Sequence, residues 1–360
     1  MKQKLDICFI FSKRYSFYPP DYSGRGLGGT ESMLVLVSTK LAELGHNVTV
    51  FNCCYREGAY KKVKWLSLWK LNKENKFDVL IAVRWLSVFD NLQFTAKINC
   101  VWIHDSNLSG FRKYVQTKNL NLLLTISKTQ TKNIFSDRKG KSNLLFETRN
   151  GYDENIYTSE LASLPKIDNQ VIYCSAPDRG LKYLLEYWPY LQERIPNISL
   201  IITGSFALWG NTDEENELIF SDLYKKAKSY ANIKVFQRCS KLELAKLQAT
   251  SKLMLYPTDF DEMYCISVLE CMRVGTPVIT SRRAALVERI NHGKDGILIN
   301  GIPTDKKYFL KFIEATEKIL KKEALWEPLS KNAMANTSDL NIINLAKEWE
   351  DKFLTTLNTK

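Results

Sequence analysis

Short apolar strands alternating with helices, in two successive series, constrain the fold of this chain more than any other feature of its sequence. In the first series Leu5-Asp6-Ile7-Cys8-Phe9-Ile10-Phe11 reads as a buried strand. A glycine-rich loop follows, Gly24-Arg25-Gly26-Leu27-Gly28-Gly29-Thr30, then a helix from Glu31 to Leu44 and a strand over 47–51. Residues 78–83 and 98–103 supply further central strands, and the strand 122–126 leads into a helix with Ser127 at its N-cap. A second series begins near Val171 and runs through strands at 199–203, 233–236, 252–256 and 277–280, with a helix at 213–230. Strands that are apolar along their whole length, each followed by a helix, predict parallel sheets covered on both faces, an α/β doubly wound architecture.

The segment between the series, Glu160 to Asn169, contains Pro165 and no long apolar run, so the linker is placed there. The expected division is an N-terminal domain over 1–160 and a C-terminal domain over 161–340. A last amphipathic helix within 341–360 is expected to pack back on the N-terminal domain. With 360 residues and 45% hydrophobic content, each half is large enough for its own core.

The net charge of +12 predicts attraction to anions. The clusters Lys61-Lys62-Val63-Lys64, Arg112-Lys113 and Arg138-Lys139-Gly140-Lys141 carry no nucleic-acid-binding signature, so no nucleic acid partner is expected. They read either as a solvated face or as peripheral contact with an anionic membrane. No signal peptide is read at the N-terminus, and no run of about 18 uncharged apolar residues predicts a membrane span. The eight cysteines show no metal-ligand spacing and read as buried, reduced thiols, which suits a cytoplasmic location.

The chemistry concentrates in the run Glu262-Met263-Tyr264-Cys265-Ile266-Ser267-Val268-Leu269-Glu270, between a strand ending at Tyr256-Pro257 and a helix stopping at Val274-Gly275-Thr276-Pro277. Eight helical steps span about 12 Å and return to nearly the same face, so two carboxylates would flank a helix N-terminus. Unpaired N–H groups and the macrodipole draw phosphate to that position. A ligand with hydroxyls at both ends and a diphosphate between them, such as a nucleotide sugar, fits this arrangement.

Other candidates lie at strand-to-helix turns. Gly28 and Gly29 allow close backbone approach to a phosphate or sugar, or simply make a tight connection. Gly24, Gly26 and Gly29 match Gly-x-Gly-x-x-Gly, but a long loop separates Phe11 from Gly24 and no acidic ribose partner is evident after Val50. A dinucleotide fingerprint is therefore not read here. His104 ends a parallel strand, where ligand crevices form, while Asp105 reads as a cap. Arg179, in the first turn of the second series, would point a forked donor at a diphosphate, with Lys182 adding charge; Arg179 pairing with a nearby carboxylate is the alternative. Asp259 and Asp261 have a spacing able to hold a divalent ion, a reading that two similar α/β halves fit poorly.

The stretch from Tyr256-Pro257 through Glu262, Glu270 and Cys271-Met272-Arg273-Val274-Gly275-Thr276-Pro277-Val278-Ile279 to Glu288 resembles the donor-binding domain of retaining GT-B glycosyltransferases of family 4. Asn150-Gly151-Tyr152-Asp153 resembles the segment that closes their N-terminal domain, and Gly28-Gly29-Thr30-Glu31 their Gly-Gly-x-Glu loop. The similarity covers most of the chain. It implies two Rossmann-like domains facing across a cleft and transfer of a sugar from a nucleoside diphosphate to a glycan, lipid-linked or other hydroxyl acceptor. No metal or other cofactor is implied. By this resemblance Glu270 holds the ribose, Glu262 contacts the transferred sugar, the backbone of Cys265 and Ile266 receives phosphate, and His104 lies near the reacting carbon. One departure stands out: Cys174 or Ser175 occupies the place of the family's diphosphate-binding Arg, and Arg179-Gly180 replaces its Lys-Gly. The diphosphate is then expected to rest on Arg179, helped by Lys182 or Arg238.

Two rivals remain at this stage, a sugar-nucleotide epimerase of the same architecture and a non-catalytic two-lobed protein that binds sugars or polyanions. A nicotinamide dehydrogenase is disfavoured by the misplaced glycine string.

Overall fold

A computed structural model describes residues 3–12, 16–72, 74–85, 87–91, 95–105, 120–135, 144–204, 213–236 and 239–359. The chain divides into one unit of Met1–Tyr22, Gly29–Gly151 and Ile342–Lys360, and a second of Ser23–Gly28 and Tyr152–Asn341.

The first unit is built on eight strands: β1 (Asp6–Phe11), β2 (Asn47–Asn52), β3 (Gly58–Tyr60), β4 (Val63–Ser67), β5 (Lys76–Val83), β6 (Thr95–Trp102), β7 (Leu122–Thr125) and β8 (Leu145–Glu147). Their order is β3-β4-β2-β1-β5-β6-β7-β8, parallel throughout except for the β3–β4 hairpin at one edge. The five residues of β1 after Asp6 are all buried, as expected of a central strand covered on both faces. The helix Gly29–Glu43 begins at Gly29, two residues before the expected start. The last helix, Ile342–Asn358, packs on Gly29–Glu43 and puts Trp349 into this unit's core. The Trp349 ring lies edge-on to Trp102 at 4.7 Å, and its Nε1 donates to Thr148 Oγ1 at 2.8 Å. Beside it, His46 Nε2 and Glu350 Oε1 are 2.9 Å apart with both side chains buried, and His46 Nδ1 accepts from the Leu5 N–H at 3.2 Å.

The second unit contains six parallel strands: β9 (Gln170–Cys174), β10 (Ser199–Thr203), β11 (Ile233–Phe236), β12 (Leu253–Tyr256), β13 (Val278–Ser281) and β14 (Gly296–Ile299). Their order, β11-β10-β9-β12-β13-β14, is that of a Rossmann sheet, with the reversal of direction between β9 and β12. Helices at Leu181–Arg194, Asp213–Lys228, Lys241–Thr250, Ile266–Arg273, Lys306–Lys321 and Glu323–Thr337 surround it. Asp213–Lys228 is interrupted at Phe220, whose φ of −115° and ψ of 18° are not helical. All eight cysteines are free thiols, and Cys8, Cys100, Cys174, Cys265 and Cys271 are buried. Among the described residues no helix is long and apolar enough to cross a membrane.

Candidate active site

In an open α/β sheet the ligand crevice lies beyond the carboxyl ends of the strands where their order reverses. In the second unit that position belongs to β9 and β12, and two glycines draw its loops together. Gly180 has φ of +132°, and a Cβ there would lie 2.0 Å from the Pro257 carbonyl oxygen. The turn after β9 is thereby pressed against the end of β12. Gly204 has φ of +123°, and a Cβ would lie 2.3 Å from the Ser175 carbonyl oxygen, so the end of β10 closes on the same turn. Neither conformation nor contact is open to a residue with a side chain.

Glu262 lies in the loop after β12 and is 4% exposed. Its Oε1 accepts from Tyr256 Oη at 2.7 Å and from Arg179 Nη1 at 3.0 Å. Ser175 Oγ donates in turn to Tyr256 Oη at 3.3 Å. Burial, and after it the Glu262 carboxylate, push the Tyr256 phenol well above its usual pKa, so it remains a donor. Burial works against the charge on Arg179, but Glu262, with Tyr256 and Cys265 adding to it, holds the guanidinium pKa above its ordinary value. The guanidinium carbon also lies 4.2 Å from the centroid of the Phe260 ring, which supports its plane.

The two glutamates do not share one helix as the eight-step spacing suggests. The helix runs only from Ile266 to Arg273, and Glu262 precedes it by four residues. Cys265, the N-cap, has φ of +63°, an uncommon conformation for a residue other than glycine, and this turn sends the chain into the helix. Burial, then the nearby Glu262, raise the Cys265 thiol well above its usual pKa, so it stays protonated. Glu270 is the fifth residue of the helix, 3% exposed, and its Oε1 meets Lys241 Nζ at 2.5 Å. Between the two carboxylates lie the first N–H groups of the helix, which have no carbonyl in the preceding turn to bond.

Residues 164–335 match the family model described as "Glycosyl transferases group 1". That match lies within the second unit and covers just under half of the chain. Spore coat protein SA of Bacillus subtilis (strain 168) is 23% identical over 158 residues, 44% of this chain and 41% of that protein's length. The fold is that of GT-B structures. A sucrose-phosphate synthase from Thermosynechococcus elongatus superposes with a TM-score of 0.73 at 16% identity, over 98% of this chain and 99% of that one. Anabaena HepE in complex with UDP-glucose gives 0.71 at 16% identity, over 99% and 100%. A glycosyltransferase from Rickettsia africae gives 0.73 at 14% identity, over 99% and 100%.

Where the resemblance leads one to expect an arginine, this sequence has no cation. Cys174 is turned into the core, its Sγ 3.6 Å from Cys271 Sγ, while Ser175 serves Tyr256. Lys182 is exposed and lies over the Tyr183 ring at 4.5 Å; the Tyr183 hydroxyl donates to Asp259. Asp261 pairs with Arg283 at 2.6 Å, so the two aspartates considered for a metal have separate partners. Among the described residues no group of three His, Cys, Asp or Glu side chains could hold a metal ion. Arg238 lies outside the described residues. In the first unit the His104 ring sits 4.4 Å from that of Trp102. The Asp105 carboxylate takes both Arg84 Nε, at 2.8 Å, and Nη2, and the residues it would cap lie outside the described ones. Gly28 and Gly29 both have negative φ, so their backbone conformation does not demand glycine.

Sequence reasoning did not single out Tyr256 or Lys241. A tyrosine closing an apolar strand reads as core, and a lysine opening a helix reads as solvated. Both were findable only through the carboxylates they serve.

Proposed function

We propose that the second unit binds a nucleoside diphosphate sugar across Glu262 and Glu270, and that the chain transfers the sugar to a hydroxyl acceptor with retention of anomeric configuration. The observation that carries this reading is the pair of buried carboxylates flanking a helix N-terminus at the sheet's switch point. Each is held by a cation on Oε1, and no other described side chain donates to its Oε2. Glu270 suits the ribose hydroxyls and Glu262 the hydroxyls of the transferred sugar.

The helix N–H groups would receive the diphosphate, with Arg179 beside them. As the glycosidic C–O bond breaks, charge grows on the departing phosphate, and a fixed cation and aligned dipoles stabilise it most at that moment. In this scheme the acceptor attacks the face the diphosphate leaves, and its proton passes to the leaving phosphate oxygen. Glu262 orients the sugar in this scheme. The acceptor is a glycan or lipid-linked hydroxyl, and the net charge of +12 favours contact with an anionic membrane surface where such acceptors reside.

A thermal-shift screen of nucleotide sugars tests the reading. A donor at about 100 times its Kd should add roughly 2.7 kcal/mol of stability. Transfer by the stabilising donor should then give a product with the donor's anomeric configuration by NMR and persist in EDTA. Donor conversion without acceptor would point to an epimerase, and binding without turnover to a binding protein.

A further inference from the structure

Lys241 opens the helix Lys241–Thr250, where Ser240 Oγ caps the Glu243 N–H at 3.2 Å. A cation in the first turn of a helix stands against the positive end of the macrodipole, so the helix gives this lysine no reason to be there. Its side chain is nevertheless only 14% exposed. Its ammonium reaches two groups on other elements, Glu270 Oε1 at 2.5 Å and the Tyr157 ring, whose centroid is 5.5 Å away. Glu270 is more deeply buried still, at 4% of its side chain, and a buried carboxylate needs hydrogen-bonding partners. Lys241 occupies Oε1, and no described side chain donates to Oε2.

We propose that Lys241 is the positioning residue for the nucleotide ribose: by fixing the Glu270 carboxylate through Oε1, it leaves Oε2 as an acceptor for the ribose hydroxyls and sets the preference for ribonucleotides. This rests on the donor-site reading above and adds to it a residue and a selectivity. A freely rotating Glu270 would accept the same hydroxyls weakly. The discrimination therefore resides in the pair, although Lys241 itself need touch no ligand.

The test compares a nucleoside diphosphate with its 2′,3′-dideoxy analogue by calorimetric titration. UDP, GDP and ADP are tried first on the wild-type protein, and the tightest binder is used. The ratio of the two affinities cancels the titration of the phosphate, which both ligands share. The wild type should prefer the ribonucleotide by roughly 10- to 100-fold, the size of a hydrogen bond to a charged group. Lys241→Met should cut the preference to within about threefold, because nothing then fixes the Glu270 carboxylate. Lys241→Arg, which keeps a cation on Oε1, should restore the wild-type ratio. If Lys241→Met does not fold, Lys241→Leu should show the same reduced ratio. A wild type that binds none of the three diphosphates removes the donor-site reading and this inference with it. A wild type that binds and discriminates, beside a folded Lys241→Met or Lys241→Leu variant that discriminates equally well, overturns the inference alone.

Discussion

The two units share a strand order at their centres and differ in what they place at the carboxyl ends of those strands. In the second, the described residues gather two buried carboxylates, each paired with a cation, Glu262 with Arg179 and Glu270 with Lys241, around one helix N-terminus. In the first, the described residues at the ends of β5 and β6 hold an outward pair, Arg84 with Asp105, and a histidine beside a tryptophan ring. Burying charge costs free energy that folding alone does not reward, since hydrophobic residues of the same volume are often as stable or more so. The second unit retains two such pairs at its switch point, which is where a ligand would reward them. The first unit's core is instead aromatic, closed by Trp349 from the C-terminal helix.

Glu262→Gln is the sharpest way to break this contrast. If the second unit carries the chemistry, this nearly isosteric change should reduce transfer by about 10²- to 10³-fold, the usual consequence of losing one preorganised electrostatic group. His104→Ala, which removes a single hydrogen-bonding group, should cost roughly tenfold. Steady-state rates with one donor and acceptor measure both. Equal losses would mean that the two units share the reaction evenly.

Arg179→Met tests stability. It leaves Glu262 buried with only Tyr256 as a donor, and removing one member of a buried pair typically costs ~3 kcal/mol or more. Urea unfolding should show that loss in the transition of the second unit. The double variant Arg179→Met with Glu262→Gln should recover much of it, because no uncompensated charge remains.

These residues also mark the limits of reading the sequence. Apolar runs define the strands, because a parallel strand covered on both faces has no other pattern available. The Glu262 and Glu270 spacing is visible because the functional groups lie close together along the chain. What the spacing misses is Cys265 at φ +63°, a single backbone angle that starts the helix four residues after Glu262. Tyr256 and Lys241 were invisible for another reason: their partners lie 6 and 29 residues away, and hydropathy gives no hint of such pairings. The β3–β4 hairpin and the seating of Trp349 under Trp102 likewise depend on tertiary contacts.

Lys166 gives a smaller effect with a defined sign. Its Nζ donates to the Val274 carbonyl at 2.9 Å and to Thr276 Oγ1 at 2.7 Å, at the end of the helix that carries Glu270. Burial pushes its pKa down to about 7, against about 10.4 in an unfolded chain. Between those values the unfolded state binds the extra proton, so unfolding free energy rises with pH, by at most about 1.4 kcal/mol per unit. The wild type should therefore gain stability over Lys166→Met as pH rises from about 7 to about 9, measured by parallel denaturation. A constant difference would show that the amine is charged throughout and owes its place to the carbonyls of the helix end.

The least effect is expected at Arg84, and there the comparison between units is most exposed to refutation. Arg84 grips Asp105 with two nitrogens, a geometry as good as any in the second unit, but the side chains are 29% and 38% exposed. Water and salt screen such a pair, and exposed pairs contribute ~0.2 to 1 kcal/mol. Arg84→Met should cost less than ~1 kcal/mol at low salt and almost nothing at about 1 M salt, while the loss from Arg179→Met should persist at both. A penalty at Arg84 that matched Arg179 and survived salt would mean that the first unit, too, holds a charge in place for a ligand. Its pair with Asp105 would then belong with the two in the second unit rather than stand against them.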